Sequence, residues 1–187
     1  MGSPKQLLKW GEKNLLDHVL AEALNSDLDI VVLVLGYRTE EIKRELKTDL
    51  HNRRLKIVEN ILWEKGISSS IIAGLSEVED GYDHCMVILA DMPHITAGLI
   101  DNLLHQYINS GLSLGAIKKG QRRSLPVIFG RSLFHELHNL EGDVGARNLF
   151  SKYANDVCLV EPEEQYNDID IDTPKDYDEF RKSLDDP

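Results

Sequence analysis

Two uninterrupted apolar runs constrain this chain more than any other feature. Residues 29–35 read DIVVLVL and residues 85–90 read CMVILA. A strand with one wet face alternates polar and apolar side chains, whereas a run without such breaks belongs to a strand buried on both faces. Such strands need helices above and below them. The intervening segments supply these: amphipathic patterns predict helices over 39–50, 68–78, 96–109, 131–140, 144–153 and 175–184. Further strands are predicted over 55–59, 112–117, 126–129 and 157–160. Alternation of this kind implies an α/β fold, a three-layer α/β/α sandwich around a mostly parallel, mixed sheet. With 187 residues and no linker or repeat, residues 1–187 read as one domain.

Composition narrows the function. The net charge of −11 opposes binding to nucleic-acid backbones or anionic membranes. Lys118, Lys119, Arg122 and Arg123 form the dense cationic cluster, which reads equally as a solubilising patch or as an anion site. No apolar run reaches the roughly 18 residues of a membrane span, and the start carries no secretory pattern. Cys85 and Cys158, the two cysteines, lie in apolar segments. They read as buried free thiols in a reducing compartment, hence a cytoplasmic protein without a zinc site.

In an open α/β sheet, ligands bind beyond the carboxyl ends of the strands. Asp91, in ADMP, is the first polar residue after the 85–90 run. It reads either as an oxygen ligand for Mg²⁺ bridging to substrate phosphates or as turn chemistry before a proline. In NDIDIDTPKDY, residues 167–177, Asp168, Asp170 and Asp172 alternate with isoleucines and fall on one face of an extended chain. Their mutual repulsion would be relieved by a cation. Asp168 reads as a solvated edge residue, while Asp170 and Asp172 read as partners of Asp91 around one ion. In NILWEKGISSSIIAGL, residues 60–75, Gly66 permits an unusual backbone angle and a serine cluster opens a helix, where free N–H groups attract anions or nucleotide hydroxyls. In LEGDVGARNLF, residues 140–150, Asp143 reads as the cap of the following helix, and Arg147 as an anion clamp or a surface charge.

Taken together these pieces resemble the nucleotidyltransferases that mature the molybdenum cofactor, within the glycosyltransferase-A-like superfamily, and most of all their CTP-dependent cytidylyltransferase branch. The resemblance rests on Lys5 with the Leu7-Leu8 pair; on Asn60, Trp63, Gly66, Ser68, Ser70 and Ile71; on LADMP; on GDVGAR over 142–147; and on DIDTP over 170–174. It implies transfer of CMP from CTP to the terminal phosphate of a molybdopterin-type cofactor, with release of pyrophosphate and with Mg²⁺ or Mn²⁺ held by Asp91, Asp170 and Asp172. It implies Lys5 on the triphosphate; Asn60, Gly66, Ser68 and Ser70 on the nucleotide; and Arg147, Gly142 and Asp143 on the acceptor. A molybdenum hydroxylase-type enzyme would receive the product.

The family pattern opens with a strand and a glycine-rich loop, of which MGSPKQLL carries only the exit. The domain is accordingly expected to be N-terminally incomplete and, as it stands, weakly active. QRRSLP, residues 121–126, departs from the glycine and histidine usual there, which leaves the acceptor open. A GTP-dependent guanylyltransferase, a sugar-phosphate nucleotidyltransferase, and a non-catalytic partner that inserts cofactor into a molybdenum enzyme are the alternative readings.

Overall fold

The computed structural model describes residues 4–143 and 145–162. Asp168, Asp170, Asp172 and the helix predicted over 175–184 lie outside the described residues.

The chain enters through a short 3₁₀ turn, Lys5–Leu7, and a small antiparallel hairpin, β1 (Lys9–Trp10) with β2 (Lys13–Asn14). Helix α1 (Leu15–Asn25) follows, capped by Asn14, whose side chain accepts the Asp17 amide at 2.7 Å. Neither hairpin nor helix was expected from the sequence. The signal for α1 is visible in retrospect: a capping asparagine, then apolar residues at 15, 16, 19, 20 and 23 on one stripe.

Next come β3 (Val31–Leu35), α2 (Thr39–Glu45), β4 (Leu55–Glu59), α3 (Ile67–Leu75), β5 (His84–Val87) and α4 (Ala97–Ser110). The chain ends in β6 (Leu114–Lys119), β7 (Arg122–Gly130), α5 (Phe134–His138), α6 (Arg147–Lys152) and β8 (Val157–Val160). Among the described residues β3 pairs with β4 in parallel, and a separate four-stranded sheet runs β5–β7–β6–β8. In that sheet β7 is antiparallel to both neighbours, while β6 and β8 are parallel. The sheet is therefore mixed.

Helices α1 and α4 cover one face. Leu15, Val19 and Ala23 meet Ile95, Ile100 and Met86, while Leu103 and Tyr107 meet Ile117, Ile128 and Val160. Helices α3, α5 and α6 cover the other, where Leu75, Leu137, Leu149 and Phe150 pack on Leu114, Val127 and Phe129. The three-layer expectation holds, and each layer exists because the strands have no polar face to offer water.

Several predicted elements are shorter than expected, two of them for identifiable reasons. The helix from 39 stops at Glu45 because the buried Asp17 carboxylate takes the Lys47 amide at 3.0 Å, the Thr48 amide at 2.8 Å and the Thr48 hydroxyl at 2.7 Å. Asp17→Ala is expected to strand these donors and cost about 2–3 kcal/mol in urea unfolding, with Asp17→Asn recovering part of the loss. The predicted strand over 85–90 leaves the ladder after Val87. The next position on β7 is Pro126, which has no N–H to donate.

Candidate active site

The residues that leave the strands converge at one end of the molecule. Asp91 lies just beyond β5, its side chain 13% exposed, and its Oδ2 is 2.5 Å from the Lys5 ammonium. The two side chains lie side by side, although 86 residues separate them in the sequence. Together with Ser70 of α3 they line a cleft of about 870 Å³ between β3 and β5.

The 60–70 loop is built around Asn60, which is buried. Its backbone N–H donates to Leu35 at 2.7 Å, tying the exit of β4 to the exit of β3. Its side-chain amide donates to the Ser69 hydroxyl at 2.8 Å and the Ser70 hydroxyl at 3.0 Å, and its carbonyl accepts the Leu62 amide at 2.9 Å. Ser69, which the sequence reading passed over, joins Asn60 to the carbonyls of Leu62 and Gly66. The Ser68 side chain is buried under this loop, and its amide donates to the Gly142 carbonyl at 3.2 Å.

Gly66 adopts φ +91° and ψ 179°, a region open to glycine almost alone. A methyl group there would sit 2.5 Å from Asp143 Oδ1 and 2.6 Å from the Gly142 carbonyl carbon. Gly142 and Asp143 thus press on the start of α3, and Asp143 Oδ1 accepts the Ile67 amide at 3.3 Å. This corrects one expectation. Asp143 caps α3 across the fold, whereas α6 begins at Arg147 with no side-chain cap. A carboxylate at the N-terminus of α3 also complements its dipole.

Arg147 opens α6 and faces a second cleft of about 790 Å³. This cleft is lined as well by Arg122 and Arg123 of β7, by His94 and by Asp143. The cationic cluster that sequence left between solubility and anion binding is divided by the fold. Lys118 pairs with Glu161 at 2.6 Å, while Arg122 and Arg123 turn toward the cleft. Arg123 is held in place by donating to the Phe150 carbonyl at 2.8 Å and by lying over the Phe150 ring. Between Ser124 and Val127 the β6–β7 ladder skips Leu125 and Pro126, which are joined by a cis peptide bond. Ser124 and Leu125 line the same cleft. Ile67, Ile71, Val87 and Leu89 border both clefts, so the Lys5–Asp91 pair and the arginine cluster lie on either side of the α3–β5 contact.

Burial pushes the Cys85 thiol up to about 11, which leaves it inert as a nucleophile. Both cysteines are unpaired with each other. Among the described residues no group of three carboxylate, histidine or cysteine side chains forms a metal site by itself, and no helix is long and apolar enough to cross a membrane.

An α/β/α sandwich with a lysine–carboxylate pair beyond the strand exits and an arginine-lined cleft beside it belongs to the class of open α/β folds, which bind their ligands at the carboxyl edge of the sheet. The family follows from comparison. Residues 1–157 match the model of the MobA-like NTP transferase domain, and the chain belongs to that family. It is accordingly a nucleotidyltransferase.

Solved structures share the fold. A homologue of Mycobacterium tuberculosis Rv0371c from Mycobacterium sp. strain JC1 is 26% identical, with a TM-score of 0.82 over 98% of this chain and 89% of that one. Rv0371c from M. tuberculosis H37Rv in complex with manganese is 22% identical, with a TM-score of 0.80 over 97% of this chain and 93% of that one. A nucleotidyl transferase from Methanothermobacter is 17% identical, with a TM-score of 0.80 over 96% of this chain and 84% of that one. No curated protein matches the chain.

Proposed function

We propose that this chain transfers CMP from CTP to the terminal phosphate of a molybdopterin-type cofactor and releases pyrophosphate. The observation that carries the reading is the adjacency of two sites of different chemistry. The Lys5–Asp91 pair marks the triphosphate end, and the cleft lined by Arg122, Arg123 and Arg147 suits an anionic acceptor. Two phosphorylated substrates must meet for nucleotidyl transfer, and two neighbouring clefts bring them together. The choice of CTP and of molybdopterin rests on the likeness of the 60–71 and 142–147 segments to the cytidylyltransferase branch.

Lys5, Ser70 and Asp91 touch the nucleotide in this reading. Asn60 and Gly66 act as positioning residues, because the Asn60 amide and the Gly66 backbone are committed to shaping the loop, and Ser68 joins them through its backbone amide, which donates to the Gly142 carbonyl. Asp91, with Asp170 and Asp172 of the segment outside the described residues, would hold a divalent cation, Mg²⁺ or Mn²⁺. One firmly placed carboxylate fits such an ion, which keeps several waters and takes the rest of its ligands from phosphate. When bound, the ion neutralises charge on the triphosphate. Lys5 lies at the same spot, and its flexible stem lets the ammonium leave Asp91 for a phosphate oxygen. The protein's part is otherwise to align the acceptor phosphate with the α-phosphate for in-line attack.

Arg147 clamps the acceptor in this scheme. Arg147→Ala is expected to raise KM for the acceptor about tenfold or more with kcat little changed, since a charge-assisted contact made equally in ground and transition states is lost. A fall in kcat alone would assign Arg147 elsewhere.

A sugar phosphate is the second reading, favoured by the same arginines, which recognise phosphate without regard to what carries it. The test is pyrophosphate release from CTP, GTP and ATP in Mg²⁺ or Mn²⁺, with molybdenum cofactor or with a panel of sugar phosphates as acceptor. Release with CTP and the cofactor supports the proposal. Release with GTP, or with a sugar phosphate alone, replaces it by the corresponding alternative. Cofactor binding without release from any nucleotide assigns an insertion partner.

A further inference from the structure

We propose that His18 is a positioning residue: its imidazole holds the Pro93 carbonyl and so sets how one turn presents Asp91 to the nucleotide cleft and His94 to the acceptor cleft. The inference rests on the proposed reaction for the roles of the two clefts. The turn is short and defined by its own sequence. Residues 92–95 read MPHI, and the Ile95 amide donates to the Met92 carbonyl at 3.2 Å, which closes a β-turn with proline at its second position. Proline's fixed φ suits that position. Asp91 precedes the turn and lines the cleft that holds Lys5, while Met92 and His94, within the turn, line the cleft that holds Arg147. The backbone of residues 91–94 therefore sets how the two sites lie relative to each other.

Two side chains of α1 grip this segment from behind. His18 Nε2 lies 3.0 Å from the Pro93 carbonyl oxygen, and one helical turn further on Glu22 Oε2 accepts the Ala97 amide at 2.9 Å. Between these anchors Met92 and Ile95 are buried against Leu15 and Val19. The two anchors are not equivalent. Glu22 holds the start of α4, six residues beyond Asp91, whereas His18 holds the carbonyl two residues beyond it. That carbonyl belongs to the planar peptide joining Pro93 to His94, and the proline ring fixes the dihedral on its other side. Holding the oxygen therefore orients both arms of the turn.

The imidazole is suited to a fixed hold. It is half-buried, and the Trp10 ring lies beside it with centroids 5.2 Å apart. Burial lowers the His18 pKa below its ordinary value, against the opposing pull of Glu22 and the Pro93 carbonyl, so the ring is neutral near pH 7. A carbonyl only accepts, so the hydrogen of that neutral ring is on Nε2 and is donated to Pro93. His18 lines neither cleft, so it acts through the turn and not on a substrate.

The test compares the full chain with two variants. His18→Phe keeps a ring against Trp10 but has no donor, and His18→Gln keeps an N–H of similar reach. Pyrophosphate release from CTP and hydrogen exchange at the Ile95 amide are read on all three, with thermal melting beside them. His18→Phe is expected to lower kcat at least about tenfold with KM for CTP little changed, because a misplacement of about 1 Å costs up to roughly a hundredfold in rate. Ile95 exchange should quicken at least about tenfold as the turn opens locally, while Tm moves by a few degrees at most. His18→Gln should recover most of the rate and of the protection. Parental kcat in His18→Phe, with a parent that turns over, overturns the proposal, as does parental Ile95 exchange in that variant. Equal losses in both variants overturn it too, leaving His18 a packing residue. Ile95 exchange needs no nucleotide. Quickened exchange in His18→Phe alone, with a parent that releases no pyrophosphate, would support the hold on the turn and count against the proposed reaction.

Discussion

Replacing Asp91 by alanine is expected to lower nucleotidyl transfer at least about a hundredfold while the protein stays folded. The two halves of this expectation come from different magnitudes. The Lys5–Asp91 pair is partly open to solvent, with side-chain exposures of 34% and 13%. Pairs of that kind contribute about 0–1 kcal/mol to folding, so the melt should move by a few degrees at most. Charge building on phosphate oxygens during transfer is a different matter. Losing one fixed group that stabilises developing charge costs roughly 10²–10³ in kcat. Asp91→Asn keeps the shape and loses the charge, and should be nearly as inactive. Pyrophosphate release and a thermal melt on the same preparation decide it. Ordinary turnover in either variant would remove Asp91 from the site, and collapse of the melt would make it a structural residue.

Gly66→Ala should destabilise this protein heavily for a single methyl addition. Two penalties combine. The backbone at φ +91° and ψ 179° costs a non-glycine residue about 1–3 kcal/mol. The added carbon would also lie 2.5–2.7 Å from Asp143 Oδ1 and the Gly142 carbonyl, two of these three contacts being backbone that cannot swing aside. A total of about 3 kcal/mol or more, or roughly 6–12 °C in Tm for a chain of this length, is the expected result. The first turn of α3, which carries Ser68 and Ser70, should shift with it, and in the proposed reading nucleotide binding should weaken beyond the loss of stability. Gly98→Ala in α4 is the control. It meets nothing within 4 Å and has a helical backbone, so it should be neutral or stabilise by up to about 1 kcal/mol. Equal melts for the two variants would mean that the contact between the 60–70 and 142–143 loops is loose.

Much of the scaffold was legible in residue pattern. The strands over 55–59 and 157–160 match expectation to the residue, and the 96–109 helix is displaced by a single position. These segments declare themselves locally, through β-branched apolar runs and a threonine cap at Thr96 that accepts the Leu99 amide. The misses are equally physical. Helix α1 begins among charged residues whose partners are distant, as Asp17 is satisfied by Lys47 and Thr48. Strand β7 is longer than the predicted 126–129 because Gly120, at φ +57°, lets Lys119 and Arg122 pair across a tight turn.

What sequence alone determined is the layer order and the position of Asp91: an unbroken apolar run must be buried on both faces, and the first carboxylate after it must emerge at the sheet's carboxyl edge. What only the tertiary structure decided is which side chains meet there. Asp143 caps a helix 76 residues away, Arg122 and Arg123 join Arg147 around one cleft, and Lys5 reaches Asp91. Each of these contacts depends on how the layers pack. Local propensity carries no information about them, because a charge exposed in one segment finds its partner only when the sheet brings the other segment alongside.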